Sequence, residues 1–173
     1  SDSWDLWWHR YGGPDGGAID PRDVWALGCP RGEGLPVNTV PPTAHSGRWC
    51  YGTRLNGSYP ASSKMELYSP LFHLFLPSTN STDPDNLNHF FLEFYEWVDL
   101  ADENDVIRIE AVRPSTPADI LNRLPGVSPP RPTVPIIPNR NNSVNTTGEW
   151  RRVTVSLDSI ANETNLFLKF SLE

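Results

Sequence analysis

Cysteine is scarce in this chain. Cys29 and Cys50 are the only thiols among 173 residues, too few for a metal cluster. Long apolar runs are missing as well. None approaches the ~18 residues that a membrane-crossing helix requires, so no membrane insertion is expected. Positive charge is in short supply: 14 Lys and Arg stand against 21 Asp and Glu, for a net charge of −7 and a pI near 5.0. Such a chain is repelled by phosphate backbones and anionic lipid, which argues against nucleic acid or a membrane surface as partner. Catalytic signatures are absent too, with no HExxH, no Gly-x-Ser-x-Gly elbow and no phosphate loop. The four histidines, His9, His45, His73 and His89, show no metal-ligand spacing. Glu93 and Glu96 fall on opposite faces of one strand and would not meet. Without a converging nucleophile, base and orienting group, a non-enzymatic protein is expected. There is no initiator Met and no signal-peptide pattern, so Ser1 is expected to follow a processing site or an excised boundary.

Turn residues and aromatics are plentiful. Eighteen Pro and twelve Gly favour short strands over helices, and seven Trp supply large buried area per residue. Hydrophobic alternation of period two marks the strands. Phe90, Leu92 and Phe94 share one face, and Phe91, Glu93, Tyr95 and Trp97 the other. Ile107, Ile109 and Ala111 oppose Arg108 and Glu110. Val153, Val155 and Leu157 alternate with Arg152, Thr154 and Ser156. Leu166, Leu168, Phe170 and Leu172 alternate with Lys169 and Ser171. Val24, Trp25 and Leu27 form an embedded strand, and Met65 and Leu67 continue the pattern. One dry and one wet face per strand implies an all-β sandwich of two antiparallel sheets. The stretches 12–42, 77–88 and 114–148 read as loops around these strands. Within the last, 117–123 suits a short helix, and 125–138 (PGVSPPRPTVPIIP) favours polyproline conformation in a long Pro-rich insertion.

Several residues carry candidate roles. Cys29 and Cys50 lie in Gly/Pro-rich strand-edge sequence at a separation suited to a disulfide, which would stabilise the fold by about 3 kcal/mol. Two buried free thiols are the alternative. Glycosylation sequons at Asn56, Asn80, Asn141, Asn145 and Asn162 sit in turns and polar loops, pointing to a secreted glycoprotein. Asp99, Asp102, Glu103 and Asp105 crowd one loop, as do Asp15, Asp20 and Asp23. Hard oxygen ligands at this spacing could suit Ca²⁺, the one cofactor the sequence suggests, but a solvated acidic loop is the favoured reading of each. Phe91, Tyr95 and Trp97 share a face that could stack on carbohydrate or serve as sandwich interior. In residues 1–11 (SDSWDLWWHRY), Trp4, Leu6 and Trp8 alternate with Asp5 and Trp7. This run is either the first strand of its own sandwich or a segment that docks on a neighbouring subunit by strand addition. In the second case Trp4, Leu6, Trp7, Trp8 and Tyr11 are the anchors. A head-to-tail contact of that kind, if it does not close, produces a filament.

The ordered series Val24-Trp25-Ala26-Leu27-Gly28, Ala44-His45-Ser46-Gly47, Tyr51-Gly52-Thr53, Leu55-Asn56-Gly57, Tyr59 and Leu67-Tyr68-Ser69-Pro70 resembles the MAM-like modules attached to secreted metallopeptidases of the immune inhibitor A type. So do Leu92 to Trp97, Asn104 to Ile109, Glu149-Trp150 and Phe167 to Phe170. The resemblance implies a galactose-binding-like jelly roll over 24–173, preceded by an N-terminal aromatic segment at 1–23. It also implies an extracellular or cell-surface location and a non-catalytic role in adhesion, carbohydrate contact or assembly; some members hold calcium. The chain departs from the pattern at the Pro-rich insertion after the Ile107 strand and at the two cysteines. The expected function is a structural or adhesive module that self-associates as the repeating subunit of a surface filament. The alternative is a carbohydrate-binding accessory module of a secreted hydrolase.

Overall fold

The computed structural model describes residues 7–11, 24–31, 40–61, 64–74, 89–114, 133–161, 163 and 165–173. Nine strands run through them: β1 (Trp8–Tyr11), β2 (Trp25–Gly28), β3 (Cys50–Thr53), β4 (Met65–Tyr68), β5 (Phe91–Glu96), β6 (Ile107–Val112), β7 (Val134–Arg140), β8 (Arg151–Ser156) and β9 (Phe167–Leu172). Short 3-10 turns cover Asn142–Val144 and Asp158–Ile160. No helix among the described residues is long and apolar enough to cross a membrane.

All strand pairs are antiparallel. The main sheet has the order β1-β4-β9-β6-β7, and two pairs, β2-β3 and β5-β8, lie apart from it. Period-two alternation decides which side of β9 faces them. Leu166 packs with Ala111, Leu157, Phe90 and Leu92, while Leu172 packs with Met65, Val98, Leu100 and Trp25. Phe170 meets Phe94 of β5 edge to face at 5.7 Å. The β2-β3 and β5-β8 pairs therefore face the main sheet across an apolar core, which makes an all-β sandwich.

The opposite face of the main sheet carries Trp8 stacked on Tyr68 at 4.0 Å, with Val112 and Phe167 beside them. Next to this cluster runs a charged row across three strands. Lys169 of β9 sits 2.5 Å from Glu110 of β6 and 3.8 Å from Glu66 of β4. Thr133 Oγ1 donates to Glu110, and Tyr68 Oη donates to Glu66.

One expectation changes. The Pro-rich stretch was expected to be loop throughout, yet β7 occupies its last third and carries Pro135 and Pro138. β7 is the outermost strand of its sheet, and its pairing with β6 shifts register twice around Ile109. An edge strand with bulges can omit ladder donors, so proline is tolerated there. β3 and β4 straddle the Asn56-Gly57 turn but do not pair with each other. β3 joins β2, and β4 joins β1 and β9. The turn carries the chain from one layer to the other. The helix expected at 117–123 lies outside the described residues.

Candidate functional site

The outward face of β5 and β8 is unusually rich in exposed rings. Phe91 is 60% exposed and Tyr95 40%. The backbone explains the placement: Leu92, Phe94 and Glu96 point into the sandwich, so Phe91, Glu93, Tyr95 and Trp97 must point out. The 40–49 segment folds against one end of this face. His45 stacks on Tyr95 at 3.4 Å with an interplanar angle of 11°. Trp150 stands edge-on to both His45 and Trp97 and donates from Nε1 to Thr43 O at 3.1 Å. Trp49, in the same segment as His45, is 57% exposed. Polar groups divide the rings: Arg152 pairs with Glu93 across the ladder. At the far end His89 lies beside Phe91 and contacts Asp158 at 2.9 Å. That contact, with the Ser156 hydroxyl, holds the Asp158 carboxyl below its ordinary range. Phe91 and Tyr95, four residues apart on one face, stand about 13 Å from each other.

A second feature lies on the flank where the two layers end. A cleft of about 460 Å³ opens between β7 and β8, walled by Ile136, Ile137 and Val144 on one side and by residues 151–155 on the other. Glu96, 9% exposed, anchors its polar end. It accepts from Arg140 at 2.8 and 2.9 Å and from Arg151, its partner across the β5-β8 ladder. One carboxylate thus serves two guanidinium groups. Arg140 Nε is buried without a partner among the described residues.

The chain matches no family model, no curated protein and no solved structure.

The residues singled out from sequence fall as follows. Cys29 and Cys50 are free thiols in this structure. The β2-β3 register sets Cys50 opposite Gly28, which leaves Cys29 one step beyond the ladder pair. Burial pushes the Cys50 thiol up, and negative charge on nearby Cys29 pushes it further. Trp7 and Trp8 are seated on their own molecule: Trp7 lies between Tyr51 and Phe170, Trp8 lies on Tyr68, and the strand ending at Tyr11 pairs with β4. Among the described residues this run is the first strand of its own sandwich. Trp4 and Leu6 lie outside them.

Two carboxylates of the acidic loop, Asp102 and Asp105, bond within it and to Tyr59. Asp105 Oδ2 accepts from Tyr59 Oη at 2.5 Å and from Asp102 N. Asp102 Oδ1 accepts from Asn104 N and Nδ2, and Asp99 is exposed. No group of three or more acidic, His or Cys side chains converges as a metal site among the described residues. Asp102 and Asp105 thus close their own turn. Asp15, Asp20 and Asp23 lie outside the described residues. Of the sequons, Asn56 and Asn141 are exposed. Asn145 accepts from Leu100 N and donates to Leu100 O, so its amide is already engaged. Asn80 and Asn162 lie outside. Sequence reading missed His45 and Trp150 as parts of the aromatic face, and Arg140 as a partner of Glu96. Each pairing joins residues 44 or more positions apart, and no local pattern signals it.

Proposed function

We propose that the chain is a non-catalytic extracellular adhesive module of jelly-roll type, and that the outer face of β5 and β8 takes carbohydrate. The observation that carries this is the row of exposed rings, Phe91 and Tyr95 with His45 against it, interleaved with the Glu93–Arg152 and His89–Asp158 pairs. Pyranose rings present apolar C–H faces and a rim of hydroxyls. A flat aromatic platform beside charged hydrogen-bonding groups satisfies both. The wiring supports the jelly-roll assignment: β4, β6, β7 and β9 lie in the main sheet in the order β4-β9-β6-β7, while β5 and β8 pair on the other layer. Exposed Asn56 and Asn141 suit glycan attachment at the cell surface or outside it. There Cys29 and Cys50, neighbours at the end of the β2-β3 ladder, are the pair that would oxidise; the loss of the thiol hydrogens by intact mass under non-reducing conditions tests that.

Glycan-array binding followed by titration calorimetry tests the main reading. The double variant Phe91→Ala with Tyr95→Ala is expected to abolish binding without changing the melting temperature by more than a few degrees. No bound glycan, or a hit indifferent to the double variant, rejects it. A second reading, the repeating subunit of a polymer, is favoured by the open cleft between β7 and β8.

A further inference from the structure

Deepening the polymer reading, on which it rests, we infer that the β7–β8 cleft is an acceptor for an extended strand, and that its occupant is residues 1–6 of a second copy. The cleft is lined by every residue from Arg151 to Val155, inward- and outward-facing alike, so the backbone edge of β8 forms its wall. The ladder phase shows which groups that edge offers. Leu157 N donates to Phe90 O. In an antiparallel pair hydrogen-bonded positions recur every second residue, so 155, 153 and 151 bond to β5, and Arg152 and Thr154 turn their N–H and C=O the other way. Among the described residues these outward groups have no partner. A strand laid along them would complete the ladder and cover Ile136, Ile137 and Val144 with its inward side chains.

Charge and period identify the occupant. Residues 1–6 are SDSWDL, with two acids and no base. Extended, they place Asp2, Trp4 and Leu6 on one face and Asp5 on the other. The acceptor matches in the same order: apolar walls and the Glu96-bridged Arg140 and Arg151 inside, Arg152 outside. Two arginines sharing one carboxylate leave an excess positive charge inside for Asp2 to meet. The two parts lie at opposite flanks. β1, which follows the donor segment, is one edge of the main sheet and β7 is the other, four strand spacings or about 19 Å away. Donor and acceptor on opposite flanks make a heterologous contact that propagates from copy to copy and does not close.

Sedimentation velocity and electron microscopy of the full chain test this with two variants. One lacks residues 1–6; the other is Thr154→Pro, which removes an outward N–H and leaves the β5 ladder intact. The unmodified chain is expected to polymerise and each variant to stay monomeric. Their mixture should give a one-to-one dimer and nothing longer, because one supplies only an acceptor and the other only a donor. Excess synthetic peptide of residues 1–6 should shorten polymers of the unmodified chain, a readout that needs no folded variant. Polymers that persist without residues 1–6, or that ignore the peptide, overturn this contact while leaving polymerisation itself standing. An unmodified chain that stays monomeric overturns both.

Discussion

Tyr59 donates its hydroxyl to Asp105 and accepts from Ala101 N at 2.9 Å, tying the segment after β3 to the loop between β5 and β6. Burial, then the bond to Asp105, pushes its pKa up to about 12. A tyrosine raised in the folded state supports folding fully below its unfolded pKa and loses that support as pH climbs through the folded value. Ultraviolet titration should therefore show one phenol ionising near pH 12, with stability falling between the unfolded and folded values. Tyr59→Phe should cost about 1–3 kcal/mol in denaturant melts, because the Asp105 carboxylate loses its donor. Glu110 shows the opposite sign. Burial would raise its pKa, but the Lys169 and Thr133 hydrogen bonds outweigh it and hold the carboxyl below its ordinary value. Its contribution is present at neutral pH and is lost as pH falls through that lowered value. Glu110→Gln should destabilise by about 1–3 kcal/mol near pH 7, and the difference from the unmodified chain should shrink as pH falls through the lowered value. Melts across that pH range check it.

At the scale of elements, the β2-β3 pair depends on two glycines. A Cβ at Gly28 would lie 2.8 Å from Leu55 Cδ1, and one at Gly52 2.6 Å from Leu55 Cδ2. Leu55 folds back over the ladder, and its carbonyl accepts from Arg31 N at 2.9 Å. Gly52→Ala should displace Leu55, cost about 1–3 kcal/mol, and speed amide exchange at Arg31. Unchanged exchange would show that Leu55 adjusts within its seat. How legible each element was follows from its chemistry. β5, β6, β8 and β9 alternate cleanly in sequence because each presents one face to the core and one away from it. β7 was hidden because Pro135 and Pro138 read as strand breakers, and only its edge position makes them harmless.

For the whole molecule, Asp102 and Asp105 of the loop between β5 and β6 are bound to Tyr59 and to the loop's own backbone. Millimolar Ca²⁺ or a chelator should leave the melting temperature unchanged; a rise of several degrees with Ca²⁺ would show that the loop reorganises around the ion. In the proposed reading, carbohydrate meets the rings of the outer β5-β8 face and the donor strand meets the β7–β8 cleft. The two surfaces adjoin at Arg152 and Thr154. Variants of Phe91 and Tyr95, which do not line the cleft, should leave polymer length unchanged.

The all-β class and the residues that share a face in each clearly alternating strand were determined by sequence, because period-two patterning is local. That the Phe91 and Tyr95 face lies outside was decided by the fold. Which strands pair, and what meets at a distance, were decided only by tertiary structure. His45 reaches Tyr95 across 50 residues, Arg140 reaches Glu96 across 44, and Trp8 reaches Tyr68 across a sheet register. These contacts depend on sheet order, and the same alternation in each strand is compatible with many orders.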